Sequence, residues 1–136
     1  MNVNPYLNFK DQCEAAMRLY AKVFGGELVV MKVSETPIAD TMPAERQDKV
    51  MHAQLTVGSW VLMGADAPPE YYRPAQGFSV TIVLDDEAEA RRIFNALGEG
   101  GTVQMPLQAT FWAKQFGSLT DRFGTPWMVN CGQPGC

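Results

Sequence analysis

A repeat within the chain limits its possible folds more than any other property of the sequence. The segments NPYLNFKDQCEAAMRLYAKVFGG and SVTIVLDDEAEARRIFNALGEGG begin at Asn4 and Ser79 and align without a gap at an offset of 75 residues. Each has a short alternating run, an aspartate, apolar residues at helical spacing and a final pair of glycines. The chain is therefore expected to form one structural unit twice.

Each copy predicts a strand followed by a helix. Asp11 and Asp86 can cap the first helical turn, and Glu14 and Glu89 are placed to complete a capping box. The glycines after each helix allow the left-handed conformation that ends it. The residues expected on the buried helix faces are Ala16, Leu19, Tyr20, Val23 and Phe24 in the first copy, and Ala90, Ile93, Phe94 and Leu97 in the second.

Three further strands are predicted after each helix. They are ELVVMKVS, KVMHAQLTV and SWVLMGA in the first half, and TVQMPLQ, FWAKQFGSL and PWMVNC in the second. The pattern is an α+β fold in which two βαβββ modules, at about 1–66 and 77–131, form a curved mixed sheet within a single domain. A proline-rich connector, DAPPEYYRPAQG, joins them. We expect the segment TPIADTMPAERQD of the first half to be a mobile flap.

Alternation along the strands assigns side chains to two faces of a sheet. The face against the helices is predicted to carry Leu7, Phe9, Met51, Ala53, Leu55, Val57, Phe78, Val80, Ile82 and Leu84. The other face is predicted to carry Asn4, Tyr6, Asn8, His52, Gln54, Thr56, Ser79, Thr81 and Val83. A curved sheet with such a mixed, semi-polar face is typical of a small-ligand site.

Composition and charge argue against several classes of function. A chain with 46% hydrophobic and 19% charged residues is typical of a soluble globular protein. The net charge of −4 and the scattered Lys and Arg residues provide no basic patch for nucleic acid. The sequence shows neither a signal peptide nor an apolar run long enough to cross a membrane. With three cysteines and no export signal, we expect a reduced cytoplasmic protein without a disulfide.

The two modules resemble the vicinal oxygen chelate superfamily of glyoxalases, bleomycin-resistance proteins and extradiol dioxygenases. The resemblance covers essentially the whole chain. The stretches NPYLNF, FGGEL, KVMHAQL, LMGADAPP, GGTVQMPLQATFWAKQFGSLTDRFG and PWMVN are similar to its PhnB-like branch, whose members are mostly of unknown activity. The resemblance implies a glyoxalase-like fold and a homodimer, in which a neighbouring chain often completes each cavity.

Enzymes of this superfamily usually carry metal-binding His, Gln or Glu on the first and last strands of each module. By the resemblance, Asn4 and Ser79 occupy these positions on the first strands, and Met63 and Met128 on the last. Asn and Ser are weak neutral donors, and a thioether suits copper(I). Because His52 is the only histidine in the chain, we predict no bound divalent metal and no cofactor.

Other candidate residues have both a functional and a structural interpretation. His52 could be a general base or a hydrogen-bonded strand histidine. Trp112, Lys114 and Phe116 alternate in a predicted strand and could line a pocket with a cation for an anionic ligand, or could pack with Lys114 in solvent. Cys13 is interpreted as a packing residue.

The run GEGG at residues 98–101 follows a helix, so it is a helix end and not a phosphate loop. Relatives in the PhnB-like branch sometimes carry a methyltransferase label, but no glycine-rich strand-to-helix turn supports a bound methyl donor.

We therefore expect a metal-free protein that binds a small molecule, and the sequence leaves turnover open. The alternatives are a metal-dependent lyase or dioxygenase with an atypical site, a metal-independent isomerase or hydrolase that uses His52, and a protein that sequesters a drug or toxic metabolite. The residues predicted to line the ligand site are Asn4, Tyr6, His52, Gln54, Met63, Ser79, Trp112, Met128 and Asn130.

Overall fold

A computed structural model describes residues 1–132 of the chain. The prediction that the three cysteines form no disulfide also concerns Cys136, which lies outside these residues. The chain has two compact units, and the boundary after Pro74 falls within the predicted connector. Each unit contains a strand, an α-helix and three further strands. The α+β fold of two βαβββ modules is therefore confirmed.

The first unit contains a four-stranded mixed sheet and one helix. Its elements are β1 (Tyr6–Phe9), α1 (Cys13–Phe24), β2 (Glu27–Lys32), β3 (Val50–Val57) and β4 (Trp60–Asp66). The strand order is β1-β4-β3-β2, with β1 parallel to β4 and the other pairs antiparallel. Leu7 and Phe9 are buried, as predicted. On α1, Met17 is buried where Leu19 was predicted, and Leu19 is half-buried.

The start of α1 differs from the prediction. Asp11 lies before the helix at φ 66°, and Gln12 occupies the cap position without a side-chain hydrogen bond. The Cys13 N–H instead donates to Oδ1 of Asp66 at 2.9 Å, and the Val50 N–H donates to Oδ2 of the same carboxylate at 2.9 Å. The predicted cap at Asp11 is wrong because a buried aspartate at the end of β4 takes that role.

A β-bulge changes the predicted faces at the start of β3. Met31 pairs with His52, whereas the next residue of β2, Lys32, pairs with Val50. Met51 is therefore the extra residue of the bulge, and alternation is interrupted there. Val50 is buried in place of Met51, while His52 keeps its predicted face.

The segment between β2 and β3 contains ordered turns. It includes three short 3₁₀ helices, Val33–Glu35, Ala39–Thr41 and Ala44–Arg46. The Gln47 side-chain amide donates to the backbone oxygens of Ala39, at 2.8 Å, and Met42, at 3.1 Å. These bonds connect the turns to one another, and the mobility of this segment stays a prediction.

The second unit repeats the arrangement of the first. Its elements are β5 (Val80–Leu84), α2 (Glu87–Gly98), β6 (Thr102–Gln108), β7 (Gln115–Thr120) and β8 (Pro126–Cys131). The strand order is β5-β8-β7-β6, with β5 parallel to β8. The Asp86 carboxylate accepts from the Ala88 and Glu89 N–H groups and caps α2 as predicted. Phe78, predicted to face the helix, lies before β5 and is exposed.

The strand predicted from Phe111 begins later, at Gln115. The Thr110 hydroxyl accepts from the Ala113 N–H at 3.1 Å, and the Thr110 N–H donates to the Ala113 oxygen at 3.1 Å. Because these bonds close a turn, Trp112 and Lys114 do not alternate with Phe116 on a strand. The four predicted core residues of α2 are all buried.

Two glycines confirm that the modules are equivalent. A β-carbon at Gly26 would collide with the backbone oxygen of Thr56, and one at Gly101 would collide with that of Thr120. Each glycine therefore allows the chain after the helix to pass close to a neighbouring strand. Among the helices of residues 1–132, none has the length and apolar character needed to cross a membrane.

Candidate functional site

Four predicted site residues lie on one side of the first sheet. Tyr6 of β1 pairs with Met63 of β4, which pairs in turn with Gln54 of β3. His52 is two residues before Gln54 and shares its side of the sheet. This side, which we call the first open face, lies opposite the buried side chains that pack against α1.

A hydrogen bond joins two of these residues. The Tyr6 hydroxyl oxygen lies 3.2 Å from Nδ1 of His52, and the ring centroids are 5.7 Å apart with their planes at 31°. Burial raises the pKa of Tyr6, with a smaller contribution from Cys13, so the hydroxyl keeps its proton at neutral pH. That hydroxyl can donate to Nδ1, and the imidazole then carries its own proton on Nε2.

Two apolar residues that were not predicted complete the first open face. Val29 pairs with Gln54 and Met31 pairs with His52 across β2 and β3. These residues are 57% and 44% exposed, and β2, on which they lie, is an edge strand of the sheet. The alternation in ELVVMK could have indicated them, but only once the register of β2 on β3 was known. The first open face is therefore amphipathic and accessible.

The second sheet has an equivalent side, which we call the second open face. Met128 pairs with Thr81 and Ser118, and Asn130 pairs with Val83 and Phe116. The Thr81 hydroxyl donates to the Met128 sulfur at 3.9 Å. The predicted residues Met128 and Asn130 are thus neighbours on one strand.

Three aromatic rings form a cluster at one end of the second open face. The Trp112 ring meets Phe116 edge to face at 5.1 Å between centroids, and Phe111 meets Trp112 at 4.7 Å. Phe116 is buried, whereas Trp112 is 41% and Phe111 is 89% exposed. The cluster therefore runs from the protein interior to solvent. The Trp112 ring contacts the Phe116 ring even though the two residues do not alternate on one strand as predicted.

The remaining candidate residues, Asn4, Ser79 and Lys114, lie outside the strands. Asn4 lies half-buried just before β1, and Ser79 lies exposed just before β5. The Lys114 side chain passes close to Gly132, where a β-carbon would lie 2.9 Å from Cδ of Lys114. Burial, followed by the charges of Glu87 and Asp85, raises the pKa of the Cys131 thiol, and the charge of Lys114 opposes that rise. The structure gives no contact between Lys114 and the aromatic rings among residues 1–132.

The residues at the metal-ligand positions of the superfamily do not fit a divalent cation. Met63 and Met128 provide thioether sulfur, and Asn4 and Ser79 provide neutral oxygen. Within residues 1–132, no three His, Cys, Asp or Glu side chains form a group that could hold a metal ion.

Cys13 is unsuited to nucleophilic chemistry. Its thiol is fully buried, and burial, followed by the charges of Asp66 and Glu14, raises its pKa to about 12. A thiol in this state carries almost no thiolate at neutral pH. The burial of Cys13 confirms that it is a packing residue.

The chain is similar to one protein family and to known proteins over almost its whole length. The model of the family described as 3-demethylubiquinone-9 3-methyltransferase matches residues 1–130. Protein YjdN of Escherichia coli K12 is 35% identical over 141 residues, covering 96% of this chain and 95% of YjdN. The crystal structure of protein PA1353 from Pseudomonas aeruginosa is 48% identical, covers 98% of both chains and has a TM-score of 0.90.

More distant structures share the fold. A PhnB protein from Bacillus cereus is 23% identical, with a TM-score of 0.79, and the match covers 97% of this chain and 100% of that one. An enzyme of the glyoxalase/bleomycin resistance protein/dioxygenase family from Burkholderia phytofirmans PsJN is 12% identical, with a TM-score of 0.64, and the match covers 94% of this chain and 95% of that one. Both likenesses support the glyoxalase-like fold.

Proposed function

Because this chain belongs to the PhnB-like family of the vicinal oxygen chelate superfamily, we propose that it is a metal-free protein that binds a small molecule. The observation that carries the proposal is the hydrogen bond between Tyr6 and His52 on the first open face. This bond holds the imidazole in place and leaves Nε2 free, within residues 1–132, to meet a ligand. No hydrogen bond described for residues 1–132 uses that nitrogen.

The surroundings of His52 support binding through hydrogen bonds and apolar contact. Gln54 and Met63 lie in the same row as Tyr6, so an amide, a thioether and a phenol are adjacent. A ligand that covers Val29 or Met31 removes an exposed apolar side chain from water. Fully burying such a side chain is worth about 1.5–3 kcal/mol. Methionine adapts its shape to irregular ligands, which favours the same interpretation.

Two activities suggested by related proteins receive less support. A metal-dependent lyase or dioxygenase needs ligands that Met63 and Met128 do not supply. A methyltransferase needs a site for its methyl donor, but the two strand-to-helix connections, residues 10–12 and 85–86, contain no glycine. We therefore propose binding without metal chemistry and without methyl transfer.

A ligand screen by thermal shift tests the proposal. A ligand at 100 times its dissociation constant should stabilise the protein by about 2.7 kcal/mol. For the strongest hit, His52→Gln and Tyr6→Phe should each weaken binding about tenfold in calorimetry, because the first removes the imidazole that meets the ligand and the second removes the hydrogen bond that orients it. Tyr71→Phe, on the connector, is the matched control and should not change affinity. If no small molecule binds, or if neither variant loses affinity, the proposal is wrong.

We also propose that the protein is a cytoplasmic homodimer. The family resemblance and the exposed apolar side chains of the open faces support association. Light scattering at micromolar concentration should give about twice the chain mass of 15.0 kDa. A monomeric mass would contradict association, and recovery of the native protein outside the cytoplasmic fraction would contradict the location.

A further inference from the structure

Asn130 holds a polar atom that has no hydrogen-bond partner within the part of the chain that the structure describes. Its Oδ1 is buried and accepts no hydrogen bond from residues 1–132, although the residue as a whole is only half-buried. It lies on β8, on the second open face. A buried carbonyl oxygen without a donor destabilises the folded state, because it has lost its hydrogen bonds to water. Such an atom calls for a partner from outside residues 1–132.

The neighbours of Asn130 indicate what that partner resembles. Its cross-strand partners are Phe116 on β7 and Val83 on β5. Directly paired residues project from the same side of a sheet, so the amide lies between an aromatic ring and an aliphatic side chain that is 74% exposed. The Phe116 ring in turn meets Trp112. An aromatic surface is thus available beside the unpaired acceptor.

The lack of charged side chains around Asn130 narrows the class of ligand further. The row that contains Asn130 runs from Val83 through Phe116 to Gln108, and the neighbouring row runs through Thr81, Met128, Ser118 and Met105. Neither row contains a charged side chain. A neutral group is therefore favoured next to Asn130 over an anion or a cation.

We propose that Oδ1 of Asn130 accepts a hydrogen bond from an N–H or O–H group of a neutral aromatic ligand whose ring packs against the exposed Trp112 ring. This inference rests on the proposed function, that the protein binds small molecules, and adds a site on the second open face with its own ligand class. Aromatic pairs favour edge-to-face or offset contacts, and Trp112, itself packed on the buried Phe116, presents such a surface. The hydrogen bond would then fix the orientation of the ring.

The stability of the unliganded protein provides a first test. Leucine has nearly the shape of asparagine, so Asn130→Leu removes the unpaired carbonyl oxygen without opening a cavity. We expect the melting temperature to rise by about 4 °C. Asn95→Leu, at an exposed position on α2, is the control and should change it much less. A lower melting temperature for Asn130→Leu would show that the amide is already paired, and would overturn the inference.

Binding of two matched probes provides the second test. Indole and 1-methylindole have the same ring system, but only indole has an N–H donor. In ¹H–¹⁵N spectra, indole should shift the side-chain amide signals of Asn130, which are identified by their absence in Asn130→Leu. Indole should bind at least about fivefold more tightly than 1-methylindole, corresponding to about 1 kcal/mol. In Asn130→Leu the two probes should bind equally.

The outcomes separate this inference from the proposed function. Equal affinities in the unaltered protein, no binding of either probe, or a preference for indole that survives in Asn130→Leu would each overturn the inference. If a ligand from the thermal-shift screen still depends on His52, the proposed function stands even when the inference fails. If no small molecule binds at all, the proposed function fails as well.

Discussion

A single hydrogen bond determines what His52 can do. When the Tyr6 hydroxyl donates to Nδ1, the lone pair on that nitrogen is occupied and Nε2 carries the proton. The imidazole is then a hydrogen-bond donor toward a ligand, and general-base chemistry requires the tautomer to change first. The Tyr6→Phe variant described above therefore removes an orienting contact as well as a polar group.

Cys13 makes a pH-dependent contribution to stability. Its pKa of about 12 in the folded protein lies above the ordinary thiol value of 9.0, so the folded state holds the proton more tightly than the unfolded state. This contribution is fully present below pH 9 and is lost as the pH rises from 9 to 12. The free energy of unfolding should fall by at most about 1.4 kcal/mol per pH unit over that interval.

Urea unfolding of the native protein and of Cys13→Ala between pH 8 and 11 measures this effect. The variant should be less stable near pH 8, but its stability should decline less steeply above pH 9, so that the difference between the two proteins narrows as the pH rises. The comparison of slopes cancels the contribution of the other titrating groups, apart from the smaller effect of Cys13 on the pKa of Tyr6. Equal slopes would show that Cys13 does not contribute.

At the scale of elements, the two helices begin in different ways although their sequences align. Asp86 caps α2 from the adjacent position, through N–H groups of the first turn. Asp66 reaches α1 from the end of β4 and also binds the first residue of β3. The local pattern predicts the first kind of cap. It cannot predict the second, because the acceptor is distant in the sequence.

This difference predicts unequal effects of removing the two carboxylates. Asp86→Ala should lower the free energy of unfolding by about 1 kcal/mol, as is usual for a helix cap. Asp66→Ala should cost about 3 kcal/mol or more, since it leaves the buried Cys13 and Val50 N–H groups without an acceptor. Asp85→Ala removes an equal charge beside Asp86 and should cost less than about 0.5 kcal/mol. Urea titrations of the three variants measure these losses. Equal losses of unfolding free energy for Asp66→Ala and Asp86→Ala would contradict the prediction.

The glycines at the end of α2 also have different roles. At Gly101, a methyl group would collide with the backbone oxygen of Thr120 and lie 2.9 Å from the α-carbon of Asp121. Gly101→Ala should therefore cost about 1–3 kcal/mol or more. At Gly98 the nearest atom, in Leu119, is 3.5 Å away, so Gly98→Ala should stabilise the protein by up to about 1 kcal/mol. Thermal unfolding of both variants tests these two predictions. An unchanged melting temperature for Gly101→Ala would contradict the close approach of Gly101 to Thr120.

At the scale of the whole molecule, the repeat in the sequence predicts the element order and the buried faces of most strands. The failures have local physical causes. The bulge opposite Met31 moved Val50 into the core, the turn at Thr110 removed Trp112 from its strand, and Asp66 replaced Asp11 as a cap. Each depends on hydrogen bonds between distant residues or on side chains that compete with the backbone. The hydrogen bond between Tyr6 and His52 depends on the parallel register of β1 on β4. The alternation of apolar and polar residues in the sequence does not determine that register.

The chemistry of the candidate ligands predicts how the whole protein responds to chelation. Asn4, Met63, Ser79 and Met128 are poor donors for a divalent cation, and the single histidine has Nδ1 in a hydrogen bond to Tyr6. A tightly bound structural metal would couple its binding free energy to folding, so its removal would lower the melting temperature. We therefore expect EDTA to leave the melting temperature unchanged within about 1 °C. Elemental analysis of protein purified without chelators should find no stoichiometric Ni, Zn, Fe or Mn. A retained metal together with a lower melting temperature in EDTA would contradict the metal-free assignment and favour a lyase or dioxygenase.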